Sequence, residues 1–194
     1  MARVLVRPLV GTGVKPNHIT TLRLISGVAA CGAVALGTPA GTLWGGILWL
    51  VSAFLDRADG ELARIGNMKS RGGHLYDYYS DALVNSLIFA AAGLGSRHGW
   101  LGVWAAPLGV LATIAMLICW VVGELYQELE GSGQKAYEGR WGFDMDDGLY
   151  LIAPLIWFGL MSFVVFGAAL ATSVMAVLII SRYRRLRARR GLAG

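Results

Sequence analysis

Charge is what this sequence has least of. Only 15% of its 194 residues are Asp, Glu, Lys or Arg, against roughly 25% in a soluble domain. With 56% hydrophobic residues and a mean hydropathy of +0.57, that shortage excludes an ordinary water-soluble globule and points to one domain built for a bilayer. Cysteine is scarce as well. Cys31 and Cys119 both lie in apolar runs with no CxxC pair, which excludes a disulfide framework or a zinc site and leaves them as packing residues. The three histidines, His18, His74 and His98, follow no metal-ligand spacing. A long apolar run is missing from the first 18 residues, where Arg3, Arg7, Lys15 and Pro16 interrupt short apolar stretches, so no cleavable signal peptide is expected. Internal repeats and low-complexity segments are absent.

What is present is a series of long apolar segments. A bilayer core of about 30 Å needs roughly 20 helical residues, and six segments meet that length: 19–37, 41–65, 73–95, 100–126, 147–165 and 167–186. The expected fold is therefore an all-α integral membrane protein of six transmembrane helices, forming a single domain over 1–194. Ahead of it, 1–16 reads as an interfacial segment: Arg3 and Arg7, at i,i+4 among Val, Leu and Pro8, suit a short helix with arginines snorkelling to headgroups. After it, 187–194 reads as a basic tail. The seven tryptophans read mostly as span-edge anchors or lipid-facing filler.

Base is one-sided along this chain. It lies in the N-terminal segment, in 64–72 (Arg64, Lys69, Arg71), in 127–146 (Lys135, Arg140) and in the tail, whereas 37–42 and 165–168 carry no charge and 95–100 has only Arg97 and His98. The positive-inside rule then places both termini on the cytoplasmic side of a multi-pass inner or cell membrane. Six arginines fall between Arg182 and Arg190. Such a run could bind nucleic acid, but directly after an apolar span it reads as a contact with anionic headgroups. The polar stretch 127–146, with Gly131-Ser132-Gly133 at its centre, reads as a flexible loop over one mouth of the bundle.

Acid is concentrated in one spacing: Asp56-x2-Asp59-Gly60-x2-Ala63-Arg64-x8-Gly73-x3-Asp77-x3-Asp81. On helices, Asp56 and Asp59 (i,i+3) share one face, as do Asp77 and Asp81 (i,i+4). Two such helices side by side bring four carboxylates together, and these repel one another unless hard divalent cations sit among them. Ionisable groups beside membrane spans are costly and default to function. Asp56, Asp59 and Asp77 are suited to hold metal, with Asp81 completing a two-ion arrangement, and an all-oxygen set argues for Mg²⁺ or Mn²⁺ over zinc. Gly60 and Ala63 leave room beside the helix backbone, either for a nucleotide or for close helix packing. Arg64 can grip phosphate or snorkel, and both uses are compatible. His74 adjoins the spacing and could reach a ligand.

All eight specified positions resemble the signature of the CDP-alcohol phosphotransferase family of membrane enzymes. The motif covers 26 residues, and the six-span topology extends the resemblance over most of the chain. The resemblance implies transfer of a phosphoalcohol group, in phospholipid biosynthesis, from a CDP-linked lipid donor such as CDP-diacylglycerol to a small alcohol, with release of CMP at a cytoplasmic active site. It implies Asp81 as the base, and Asp81 lies one turn from Asp77, within reach of metal and acceptor together. It favours nucleotide contact for Gly60 and Ala63. Pro16-Asn17-His18-Ile19-Thr20 resembles the family's Pro-Asn-x-x-Thr entry to the first span, so Asn17 and Thr20 join Asp56, Arg64, Ser70 and Gly73 as donor-binding candidates. Asn17 is also a good helix N-cap. A homodimer is implied, and Ala90-Ala91-Ala92-Gly93 permits close helix contact.

The acceptor region departs from the pattern. Where a basic cluster is expected for a phosphorylated acceptor, the sequence reads Arg140-Trp-Gly-Phe-Asp144-Met-Asp146-Asp147. Either the acids cap a helix start, or they line a pocket for a neutral or amine-bearing alcohol, the expectation adopted here. Lys135, Arg140 and Asp144 are the acceptor candidates, and Lys135 and Arg140 could join Arg182 and Arg184 in a phosphate site. Two other readings compete. One is headgroup transfer from CDP-choline or CDP-ethanolamine to a diacylglycerol; the other is a cation transporter using the carboxylates as its pathway.

Overall fold

The computed structural model describes residues 3, 6–131, 148 and 150–191. Among them all regular structure is helical: α1 (Pro16–Ala35), α2 (Pro39–Ile65), α3 (Arg71–Gly95), α4 (Ala105–Glu130), α5 (Ile152–Trp157) and α6 (Met161–Arg189), with 3-10 turns at Arg7–Leu9 and Gly102–Trp104. Three helical stretches, Pro16–Ala35, Gly102–Glu130 and Met161–Arg189, are long and apolar enough to cross a membrane. α2 and α3 have the length, at 27 and 25 residues, but carry the aspartates and bases of the motif.

α1 packs on α2 and α3, α3 on α4, α4 on α6, and α5 against α2. One core runs through the bundle from Val34 and Trp49 to Ile88, Ala112 and Val165. Trp49 is buried there, whereas Trp44, Trp100, Trp104 and Trp157 are exposed. Cys31 and Cys119 are free and buried, as expected of packing residues. The Ala90–Gly93 stretch is used inside the chain. A Cβ on Gly93 would lie 3.0 Å from Gly109 Cα, and the Ala90 amide donates to Thr113 Oγ1 at 3.0 Å.

Two ends of the bundle are defined by cross-helix bonds. At one, Arg97 Nη1 donates to the Ala35 carbonyl at 3.2 Å and Trp157 Nε1 to that of Leu43 at 3.3 Å. At the other, Arg190 Nη2 donates to the Glu130 carbonyl at 2.8 Å. The motif shares the second end with the arginines of α6.

The largest difference from the sequence reading concerns the fifth and sixth segments. A break was expected at 165–168, yet α5 ends at Trp157 and α6 starts at Met161. The cause is Gly159, whose φ of +73° no residue with a side chain adopts readily. It lets Gly159 N–H reach the Ile156 carbonyl (3.0 Å) and Leu160 N–H reach that of Leu155 (2.9 Å), a backbone closure of the Schellman kind. The flanking Phe158 and Leu160 are apolar, so hydropathy runs through the turn unbroken. α6 also continues to Arg189, so the first three residues of the expected basic tail, 187–189, are helix. At the N-terminal side, Val6 is buried against Ile19, Ala58 and Leu62. Val6 thereby covers the motif end of α1 and α2.

Candidate active site

Three helices build the site. α1 starts at Pro16, whose fixed φ suits a first helical position, and its N-cap is Lys15. His18 Nδ1 accepts from the Lys15 amide at 3.3 Å. Asn17 therefore sits inside the first turn, and the N-cap reading of it is corrected: its side chain lines a cleft instead. α3 starts at Ser70, a true N-cap whose hydroxyl accepts from the Gly73 amide at 3.0 Å. A Cβ on Gly73 would stand 2.9 Å from Ser70 Oγ and 3.1 Å from Asn17 Oδ1. Glycine there allows the cap and the side chain of Asn17 to coexist.

The cleft holds about 320 Å³ between α1, the end of α2 and the start of α3. Asn17, Thr20, Gly60, Ala63, Arg64, Ser70 and Gly73, all expected at a donor site, line it, with Asp59 and Asp77 at its inner wall. Gly60 faces open space, since a Cβ there would meet nothing nearer than Arg64 Nη2 at 3.7 Å. Arg64 is exposed and pairs with Glu61 at 2.9 Å. Lys69 and His74 complete the rim. Sequence reading passed over Lys69, whose signal was its place between two motif positions in a loop already counted as basic.

Thr20 Oγ1 is fully buried and donates to Asp59 Oδ2 at 2.6 Å. The other three aspartates gather separately: Asp56, Asp77 and Asp81 each offer an oxygen within 4.8 Å of the others'. Asp56 does not line the cleft with the other donor candidates. It faces a second, smaller cavity of about 180 Å³ together with Asp81, Arg23, Asn85 and Tyr150. Thus Asp59 and Asp77 line the cleft while Asp56 and Asp81 line the smaller cavity, an acidic wall shared by the two.

The residue that sequence reading missed is Arg23. It is 2% exposed, and its Nε and Nη1 stand 3.0 Å from Asp56 Oδ1 and 2.6 Å from Asp81 Oδ1. Both are ion pairs by distance, although neither has the angles of a hydrogen bond. Nη2 donates to Asn85 Oδ1 at 3.5 Å, and Ser52 Oγ donates to the Arg23 carbonyl at 3.0 Å, fastening α1 to α2. An arginine inside the first apolar segment was the available signal, because such groups are rare unless partnered.

The cluster fits a divalent cation on two grounds. Its donors are all carboxylate oxygens, the preference of hard ions. Buried oxygens Asp59 Oδ1 and Asp77 Oδ1 also make no hydrogen bond, a costly state for the protein alone, while Asp81 Oδ1 has its ion pair with Arg23. Lys135, Arg140 and Asp144, the acceptor candidates, lie outside the described residues, as do Asp146 and Asp147.

Residues 14–180 match the CDP-alcohol phosphatidyltransferase family, and the chain belongs to it. It is therefore an enzyme that moves a phosphatidyl group from a CDP-linked donor to an alcohol and releases CMP, and the transporter reading is set aside. Among curated relatives, the phosphatidylinositol phosphate synthase of Corynebacterium glutamicum is 29% identical over 170 residues, covering 82% of this chain and 71% of that protein. That of Mycobacteroides abscessus is 31% identical over 134 residues, covering 68% and 57%. Among solved structures, Mycobacterium tuberculosis phosphatidylinositol phosphate synthase with CDP-DAG bound superposes with a TM-score of 0.75 at 16% identity, covering 94% of this chain and 93% of that one. The same enzyme with manganese and citrate gives 0.66 at 19% identity, over 94% and 88%. At those identities the likeness is one of fold.

Proposed function

We propose that this chain is a single-domain, six-span enzyme of the cell membrane, with its termini and active site cytoplasmic, and that its donor is CDP-diacylglycerol. The observation that carries the reading is the convergence of seven motif positions on one cleft whose inner wall is carboxylate. The donor's nucleotide lies in that cleft. Gly60 and Ala63 keep the backbone of α2 open to it, Asn17 and Ser70 offer polar groups at the helix starts, and Arg64 with Lys69 draws the phosphates to the rim. Asp56, Asp77 and Asp81, with Asp59 beside them, would hold Mg²⁺ or Mn²⁺, two ions in all, which when bound would supply charge neutralisation on the phosphate oxygens.

The acceptor hydroxyl arrives at the wall formed by Asp56 and Asp81, opposite the cleft. Asp81 takes its proton as the oxygen bonds to the phosphorus that carries the diacylglycerol. The bond from that phosphorus to the CMP oxygen breaks, and CMP leaves by the cleft. Placing nucleophile and leaving group on opposite sides of one acidic wall suits an in-line displacement.

For the acceptor, the curated relatives are named for phosphatidylinositol phosphate, which favours a phosphorylated inositol over the neutral alcohol that Asp144, Asp146 and Asp147 suggest. Arg182 and Arg184 at the motif end of α6, with Lys135 and Arg140, are the bases proposed to meet its phosphate. The enzyme works as a homodimer, for which the mass in nanodiscs is the check. The deciding experiment incubates purified enzyme with CDP-diacylglycerol, Mn²⁺ or Mg²⁺, and separately inositol phosphate, glycerol 3-phosphate, inositol or serine, scoring CMP and lipid product. Turnover with serine or inositol alone overturns the phosphorylated acceptor. No CMP release with any acceptor overturns CDP-diacylglycerol as donor.

A further inference from the structure

We propose that Arg23 is a positioning residue of this reaction: a fixed guanidinium from α1 that bridges Asp56 on α2 and Asp81 on α3, and so sets the spacing and charge of the carboxylate wall. The inference rests on the proposed function for its kinetic consequence and on the geometry of Arg23 for the rest. Thr20 and Arg23 occupy one stripe of α1 at i,i+3, and Gly27 continues it at i,i+7. A Cβ on Gly27 would stand 2.9 Å from Ser52 Oγ, so the stripe lies close against its neighbours. Along it Thr20 binds Asp59 at 2.6 Å while Arg23 meets Asp56 and Asp81 at 3.0 and 2.6 Å. α1 thereby supplies a partner to three of the four acids.

Burial makes the role of Arg23 specific. A guanidinium that is 2% exposed is tolerated only where it is paired, and its planar fork reaches two carboxylates on two helices at once, which a single ammonium does not do equally well. Arg23 contributes no surface to the donor cleft, so its action on the donor passes through the aspartates. It is also a charge inside the cluster. Four carboxylates with one guanidinium carry a formal −3, and without it they carry −4, which favours cation binding while releasing Asp56 and Asp81 from their fixed positions.

Two properties that usually fall together should therefore separate. In Arg23→Gln, Mn²⁺ should bind about tenfold more tightly, read as a larger Mn²⁺-induced rise in melting temperature, because one repelling unit charge is gone from the cluster. In the same variant kcat for CMP release should fall by about a hundredfold, the order lost when transition-state electrostatics are displaced, while KM for CDP-diacylglycerol stays within about threefold. Arg23→Lys keeps the charge and loses the fork. Its Mn²⁺ response should match wild type within about threefold while kcat stays about tenfold low.

Equal loss of melting temperature with and without Mn²⁺ in Arg23→Gln, with kcat near wild type, would reduce Arg23 to a packing residue and overturn the proposal. If Arg23→Gln does not fold, Arg23→Lys decides: full kcat refutes the need for the fork. Failure of wild type to release CMP from CDP-diacylglycerol would count against the proposed donor alone, since the Mn²⁺ melting comparison reads Arg23 without turnover.

Discussion

Thr20→Val tests whether α1 fixes the acidic wall. The substitution is nearly isosteric and removes one group, the hydroxyl that donates to Asp59 Oδ2 at 2.6 Å in a buried position. Asp59 Oδ1 already lacks a hydrogen-bond partner, so the variant leaves this carboxylate without its one side-chain donor. A hydrogen bond to a charged group contributes about 1.5–3 kcal/mol, and stranding the buried acceptor adds to the loss rather than refunding it. The metal-free protein should therefore lose about 2–3 kcal/mol of unfolding free energy in reversible denaturation from bicelles. Thr20→Ser, which keeps the hydroxyl, should lose less than about 1 kcal/mol, the order of one buried methyl group. Saturating Mn²⁺ should recover part of the Thr20→Val loss if a cation takes over as partner of Asp59. Thr21→Val is the control on the same helix turn, since Thr21 is exposed and bonds the Asn17 carbonyl and Tyr76 at 2.8 and 3.0 Å. Equal stability of Thr20→Val and wild type, with unchanged CMP release, would refute the claim that α1 holds Asp59 in place.

Three further outcomes follow from the same geometry. Asp56→Asn should reduce CMP release by at least about a hundredfold without unfolding the protein, as should excess chelator with wild type, because the acids are needed for charge neutralisation on phosphate oxygens; full activity in chelator would remove the metal from the scheme. Asp81→Asn should lower kcat by about 10²–10⁴ and leave CDP-diacylglycerol binding within a few fold, the pattern of a lost base, and an unchanged rate would return Asp81 to structure. Gly73→Ala should cost about 1 kcal/mol, the worth of an N-cap, since its Cβ would force Ser70 Oγ from 2.9 Å; it should also raise donor KM several fold by pushing Asn17 aside, and calorimetry with a CDP-diacylglycerol titration measures both.

The gathering of the motif residues at one cleft was legible because its information is local. Asp59, Gly60, Ala63 and Arg64 sit within two turns of one helix, and the periodicity that places them on a face is a property of the backbone. The same holds for Asn17 with Thr20 and for Ser70 with Gly73. What spacing does not give is the partner across the gap between helices. Asp56 and Asp59, three residues apart, share a helix face, yet Asp56 joins Asp77 and Asp81 while Asp59 turns to Thr20. That division is set by the approach of α1, and its information lies 33 and 39 residues upstream, in Arg23 and Thr20.

The helix ends show the complementary limit. Hydropathy reports which residues prefer an apolar setting, and it is silent on backbone direction. Apolar segments were therefore visible, three of them in helices long and apolar enough to cross a membrane, while the turn at Phe158-Gly159-Leu160 was not, because its two flanking residues are as apolar as a span and its one informative residue is glycine. A glycine inside an apolar helix is ordinary in membranes, so Gly159 cannot be told by composition from Gly45 or Gly46, which stay helical. What distinguishes it is that the Phe158, Gly159 and Leu160 amides bond back to Pro154, Ile156 and Leu155. The helix can then stop without leaving those amides unpaired. Reversal inside an apolar run is possible wherever the backbone closes on itself in this way. α5 ends where its last turn satisfies its own backbone, and Trp157 at that end bonds the Leu43 carbonyl on α2.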